Sequence, residues 1–203
     1  MKIFFDLDGT LVDASDRLYN LFQALVPEST FSKNEYWLLK RNKINHNVIL
    51  HRDLGYSNYQ VIEFQRKWMD QIELPEWIRL DRPFENVTNY LEALKHIHEL
   101  YVVTSRQYVD VAVNQLQSYG WSDLFNDILV TRQVVSKSEM IRKFSVVSTD
   151  WMVGDTGIDI LEGKRSGLLT AGVLTGFLNR ERLEEYKPEI IVNTVTDLAF
   201  NYN

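Results

Sequence analysis

Ile3-Phe4-Phe5-Asp6-Leu7-Asp8-Gly9-Thr10 is a short apolar run halted by two acids and a glycine. Apolar residues at consecutive positions read as a strand buried on both faces, the form that strands take in a parallel sheet. Leu100 to Val103, Ile128 to Val130, Trp151 to Val153 and Leu168 to Val173 have the same form. Between the later runs lie helical patterns at Val87 to Ile97, Tyr108 to Tyr119 and Gly157 to Ser166. Strands alternating with helices predict an α/β fold with a doubly wound, Rossmann-like parallel sheet. Pro188 to Val195 and a short segment centred on Asp197 predict a last strand and a terminal helix.

The alternation breaks from about Asp13 to Phe84, where helical patterns (Ala14 to Leu25, Asn34 to Lys43, Asn58 to Ile72) occur with no strand run. The reading is therefore a core domain of residues 1–13 and 85–203 with an all-helical cap domain, 14–84, inserted after the first strand. Ligands of such sheets gather at the carboxyl ends of the strands, the edge that the insertion would cover.

Composition narrows the function classes. A net charge of -6 gives no general attraction to nucleic acid or to an acidic membrane surface. The absence of cysteine excludes disulfides, a thiol nucleophile and cysteine-based zinc sites. Asp6 and Asp8 interrupt the only apolar run near the N-terminus, so no secretory signal is visible there, and no uncharged run reaches the roughly 20 residues that span a bilayer. The expectation is a cytoplasmic protein without a membrane partner.

Asp6 and Asp8 are two apart at a strand end, which puts both side chains on one side while the chain stays extended. One carboxylate is then placed to attack phosphorus while the other serves as acid and base. Alone, the string equally fits an acidic turn. A second strand, Trp151-Met152-Val153, runs into Gly154-Asp155-Thr156-Gly157-Ile158-Asp159, with carboxylates four apart as a helix begins. If Asp6, Asp8, Asp155 and Asp159 converge, each ionised pair at about 4 Å repels by roughly 4 kcal/mol at an effective dielectric of about 20, so the cluster demands a cation. Oxygen ligands without His or Cys favour Mg²⁺. Thr104-Ser105-Arg106 ends another strand with hydroxyls able to hold phosphate oxygens, although Ser105 also fits as the cap of the helix that follows. Lys137 lies between two strands, either as a counter-charge to transferring phosphate or as a solvated surface lysine.

In this order the four segments resemble the haloacid dehalogenase-like hydrolase superfamily in its phosphatase branch: Asp6-Leu7-Asp8-Gly9-Thr10, then Thr104, Lys137, and Gly154 to Asp159. The resemblance implies Asp6 as nucleophile and Asp8 as acid/base. It implies Mg²⁺ held by Asp6, the Asp8 carbonyl and Asp155, with Asp159 on a metal water or positioning Lys137. Thr104, Ser105 and Lys137 are expected to bind the phosphate of a small phosphorylated metabolite. Leu11-Val12-Asp13 continues the first motif as in the capped phosphoglycolate phosphatase and β-phosphoglucomutase relatives, although Ser138 replaces the proline often found after the lysine. Asp8 speaks against a dehalogenase, whose halide leaving group needs no proton. The alternatives are a phosphomutase with the same aspartate pair and a catalytically silent scaffold.

Other features invite functional readings that the sequence does not support. His96 and His98 are two apart in a predicted helix and cannot share a metal; His46 and His51, five apart, pair no better. Trp37, Trp68 and Trp77 are expected to pack the cap, and Lys40, Arg41, Lys43, His46 and Arg52 to form a solvated basic face. Gly163-Lys164-Arg165-Ser166-Gly167 lacks phosphate-loop spacing and reads as a helix end and turn.

Overall fold

The computed structural model describes residues 1–200. Its sheet comprises β1 (Lys2–Phe5), β4 (Glu99–Thr104), β5 (Asp127–Val130), β6 (Trp151–Gly154), β7 (Leu169–Val173) and β8 (Ile190–Val192). The strands are parallel in the order β5-β4-β1-β6-β7-β8. From β1 the chain builds outward through β4 and β5, then returns to β1's other flank for β6, β7 and β8. This reversal opens a crevice at the carboxyl ends of β1, β4 and β6.

Consecutive apolar residues in β1 follow from the two covered faces. Ile3 and Phe5 pack with Leu100, Val102 and Val153, whereas Phe4 packs on the opposite face with Tyr101, Val103 and Met152. The first face is covered by α6 (Val87–Lys95) and α7 (Val109–Ser118) through Leu91, Leu94 and Leu116. The second is covered by α8 (Lys137–Ile141) through Ile141. Helix α9 (Gly157–Arg165) packs on β6 and β7, and α10 (Arg180–Glu184) brings Leu183 to Ile160.

Two compact units are present: Met1–Asp13 with Pro83–Asn203, and Ala14–Arg82. The chain leaves the sheet unit after the two-residue strand β2 (Val12–Asp13) and returns through β3 (Arg82–Pro83). The second unit contains α1 (Ser15–Leu25), α2 (Lys33–Arg41), α3 (His46–Val48) continued by a π-helical turn at Ile49–Asp53, α4 (Asn58–Gln71) and α5 (Pro75–Ile78). Ser32 and Ser57 start α2 and α4 with reciprocal caps to Glu35 and Gln60. Inside, Phe22 stacks on Tyr36, whose hydroxyl meets His46 Nε2 at 2.8 Å, and His46 packs on Trp68. His46 is thus a packed residue, and burial, then the Lys40 charge, hold its pKa well below the ordinary value.

Element ends differ from expectation in places. Helix α6 stops at Lys95, so His96 is its C-cap and His98 lies beyond it. Helix α7 starts at Val109 after Tyr108, which removes Ser105 as its cap. The terminal helix is a 3₁₀ turn at Val195–Asp197. The short helices α3, α5, α8 and α10 span too few residues to show a helical period in sequence. Helix α9 ends near Gly167, which has φ +78°, as the glycine-flanked turn requires.

Near the two ends of the helical unit, Arg17 and Asp81 form a buried ion pair at 3.0 Å, and Arg17 also donates to the Ile72 carbonyl. Removing one partner of a buried pair leaves an uncompensated charge, at a cost of about 3–5 kcal/mol. Asp81→Ala is expected to destabilise the helical unit by about 3 kcal/mol or more; a loss below about 1 kcal/mol in urea unfolding would show the pair to be dispensable.

Candidate active site

The end of β1 turns sharply. Gly9 has φ +86°, its N–H donates to the Val12 carbonyl at 2.7 Å, and Leu11 N–H donates to the Leu7 carbonyl at 3.0 Å. A Cβ at position 9 would lie 2.6 Å from Asp155 Oδ2, so both the conformation and the space call for glycine. The turn leaves Asp6 buried at the strand end, facing β6, with its N–H donating to the Val153 carbonyl at 2.8 Å.

Asp6, Asp155 and Asp159 converge: carboxylate oxygens of all three lie within 4.8 Å of one another. Lys137, the first residue of α8, enters this group and donates to Asp6 Oδ1 at 2.5 Å and to Asp159 Oδ1 at 2.6 Å. Ser136 and Glu139 cap α8 reciprocally, fixing the turn that aims the lysine inward. Asp159's other oxygen accepts from the Thr156 N–H and hydroxyl, so the cap of α9 also orients this carboxylate. Asp155 accepts from the Thr10 hydroxyl at 3.3 Å and from the Phe177 N–H at 2.6 Å. Thr104 is buried at the end of β4, whereas Ser105 is exposed.

Asp8 is placed differently. Its carboxylate is gripped by both arms of Arg106, Nη2 to Oδ1 at 2.6 Å and Nε to Oδ2 at 2.9 Å, and it is not a member of the acidic triad. Arg106 has no role in the sequence reading although it lies two residues after Thr104 in the same strand-end segment. It also missed the loop after β7, where Thr175 donates to the Gly9 carbonyl at 2.6 Å and Gly176 lies so close to Asp155 that a Cβ would come within 1.9 Å of Oδ2. Its position at the carboxyl end of a strand was the available signal.

The electrostatics follow from burial first and from crowding second. Burial pushes Asp6 up to about 7, with Lys137 opposing the rise and Asp159 adding to it. Burial, then the negative charges of Asp6 and Asp159, hold Asp155 well above the carboxylate range. Burial alone would lower the Lys137 pKa, but Asp159 and Asp6 outweigh it and keep the ammonium charged. Three ionised carboxylates around one ammonium leave two negative charges uncompensated, which a divalent cation would neutralise. The all-oxygen donor set suits a hard cation.

A parallel α/β sheet whose switch-point crevice gathers an acidic triad braced by a lysine defines an enzyme of the hydrolase class. The family profile described as haloacid dehalogenase-like hydrolase matches residues 3–173, and the chain belongs to that family. Its relatives include pyrophosphatase PpaX of Listeria innocua, 23% identical, with 97% of this chain and 93% of the relative covered. A solved haloacid dehalogenase-like hydrolase family protein from Streptococcus pneumoniae shares the fold (TM-score 0.75, 22% identity, 95% of this chain and 93% of that chain covered). So does a predicted phosphoglycolate phosphatase from Haemophilus somnus (TM-score 0.70, 22% identity, 96% and 94% covered). Among the described residues, no helix is long and apolar enough to cross a membrane.

Because Asp6 holds its proton more tightly when folded, its ionisation costs stability as pH rises from 3.8 through about 7. Its contribution is thus full at acid pH and lost towards neutrality. In metal-free protein, Asp6→Asn is expected to gain melting temperature relative to wild type as pH rises from about 5 to about 8. A difference that stays flat or shrinks would contradict the raised Asp6 pKa.

Proposed function

We propose that this chain is a Mg²⁺-dependent phosphatase that hydrolyses a small phosphate monoester through an aspartyl-phosphate on Asp6. The observation that carries the reading is the convergence of Asp6, Asp155 and Asp159 around the Lys137 ammonium at the sheet's switch point. In this mechanism an Asp6 oxygen attacks phosphorus as the bond from phosphorus to the leaving oxygen breaks. Asp8 in its protonated form gives its proton to that oxygen, and the resulting carboxylate deprotonates the water that attacks the phosphoaspartate, releasing phosphate.

Lys137 holds Asp6 in line and offers positive charge to the transferring phosphoryl oxygens; Thr104, with Ser105 at the rim, is assigned to phosphate binding. Asp6, Asp155 and the Asp8 carbonyl would hold Mg²⁺, and Asp159 positions Lys137, in keeping with its 2.6 Å contact. When bound, the cation supplies charge neutralisation among the carboxylates and a Lewis-acid contact to phosphate. Residues 14–84 are assigned the role of a cap that selects the substrate. The PpaX relative, named a pyrophosphatase, extends the substrate range to a phosphoanhydride.

Phosphate release from a panel of nucleotides, sugar phosphates, phosphoglycolate and pyrophosphate, with Mg²⁺ present and then chelated, tests the reading. Wild type is expected to turn over at least one of them only with the cation. Asp6→Asn should lose about 10³-fold or more in kcat, and Asp8→Asn about 10²–10⁴-fold. Full turnover by Asp6→Asn would refute the mechanism. Appearance of a bisphosphate-primed isomer instead of phosphate would identify a mutase.

A further inference from the structure

The reading of Asp8 as acid and base meets an obstacle in its surroundings. Arg106 is 3% exposed and holds both Asp8 oxygens, at 2.6 and 2.9 Å. A carboxyl group that gives a proton to the leaving oxygen must first carry one, whereas a bidentate guanidinium favours the ionised form and its two bonds weaken when the carboxylate is protonated. Loosening at least one of the two contacts is therefore what makes Asp8 available as an acid. Opening a buried, bidentate, charge-assisted pair is costly unless another anion takes the vacated arm of the fork.

The identity of that anion follows from position. Asp8 must lie within one hydrogen bond of the leaving oxygen, and Arg106 within one hydrogen bond of Asp8. The guanidinium itself therefore sits roughly 5–6 Å from the leaving oxygen, and an anion bonded to it from the substrate's side lies one hydrogen bond nearer, about 3 Å from that oxygen, attached to the leaving half of the substrate by a short link. A planar guanidinium fork matches phosphate or carboxylate oxygens and has no comparable partner in a sugar hydroxyl. Lys137 is engaged by Asp6 and Asp159, whereas Arg106 is engaged by Asp8, the group assigned to the leaving oxygen; Arg106 is therefore the cation coupled to the leaving group.

We propose that Arg106 is a specificity residue that anchors a second anionic group on the leaving half of the substrate, and that Asp8 occupies this anchor until the substrate displaces it. The substrate class is then a phosphoanhydride or the phosphate ester of a short hydroxy acid, in place of a neutral sugar phosphate. Binding and release of the acid/base become one event: the substrate's own anion frees Asp8. The inference rests on the phosphatase reading for Asp8's role, and its test separates the two.

With Mg²⁺ in excess, kcat/KM is measured for pyrophosphate, phosphoglycolate and 2-hydroxyethyl phosphate, the last having the glycolate chain without its charge. Wild type is expected to favour one or both charged substrates over the neutral one by tenfold or more. Arg106→Gln should cut that preference at least tenfold, chiefly through KM, and Arg106→Lys should restore part of it. A binding arm needs no turnover: methylenediphosphonate should raise the melting temperature of wild type more than methylphosphonate does, a difference lost in Arg106→Gln. Equal losses on all three substrates, or equal stabilisation by the two phosphonates in wild type, would overturn the anchor. Absence of hydrolysis with every substrate would sink the phosphatase reading, while the phosphonate comparison would still decide on Arg106. If Arg106→Gln does not fold, Arg106→Lys carries both comparisons, with a loss of preference expected to be smaller but measurable and an unchanged preference counting against the anchor.

Discussion

The Lys137 ammonium between Asp6 and Asp159 is the contact on which the site depends. It offsets the mutual repulsion of the buried Asp6, Asp155 and Asp159, which between ionised carboxylates at this range amounts to kilocalories per mole. The fold brings the four residues from widely separated parts of the chain. Asp6 leaves β1 and Asp155 leaves β6, the adjacent strand, while Lys137 and Asp159 open α8 and α9. Capping boxes at both helix starts orient the two side chains, so local backbone chemistry sets the geometry of a long-range ion cluster.

Close backbone approach does the rest. Gly9 and Gly176 border Asp155 and Gly154 borders Asp159, each at distances that no side chain would tolerate. The carboxylates are thereby held with little room to relax away from one another. Burial, with the neighbouring carboxylate charges adding to it, appears as raised proton affinity in Asp6 and Asp155, and the repulsion is relieved by protons, by the lysine or by a cation. A site that stores repulsion in this way is prepared for a divalent ion and for a phosphoryl group arriving with it.

Much of this was legible in the sequence, for identifiable reasons. Double burial of the sheet writes itself as consecutive apolar residues, so β1, β4, β5, β6 and β7 were visible, and their acidic or hydroxyl ends marked Asp6, Asp155 and Thr104. Lys137 was weaker in isolation because α8 has only five residues and no readable period. The partner of Asp8 was hidden: Arg106 lies 98 residues away, and only the pairing of β1 with β4 brings the two strand ends together. The loop of Thr175, Gly176 and Phe177 was also silent, because it acts through a backbone N–H, a missing side chain and a hydroxyl bound to a carbonyl. The alternative of Ser105 as a helix cap falls away, since the helix starts at Val109, three residues past Arg106.

The central claim is that Asp6 becomes covalently phosphorylated. A single turnover with a hydrolysable phosphate ester, stopped in acid and reduced with borohydride, converts an aspartyl-phosphate to homoserine, which peptide mass spectrometry locates in the sequence. The account predicts homoserine at position 6 and at no other carboxylate of the site. Turnover with no modified aspartate, or with the modification at Asp8 or Asp155, would contradict it.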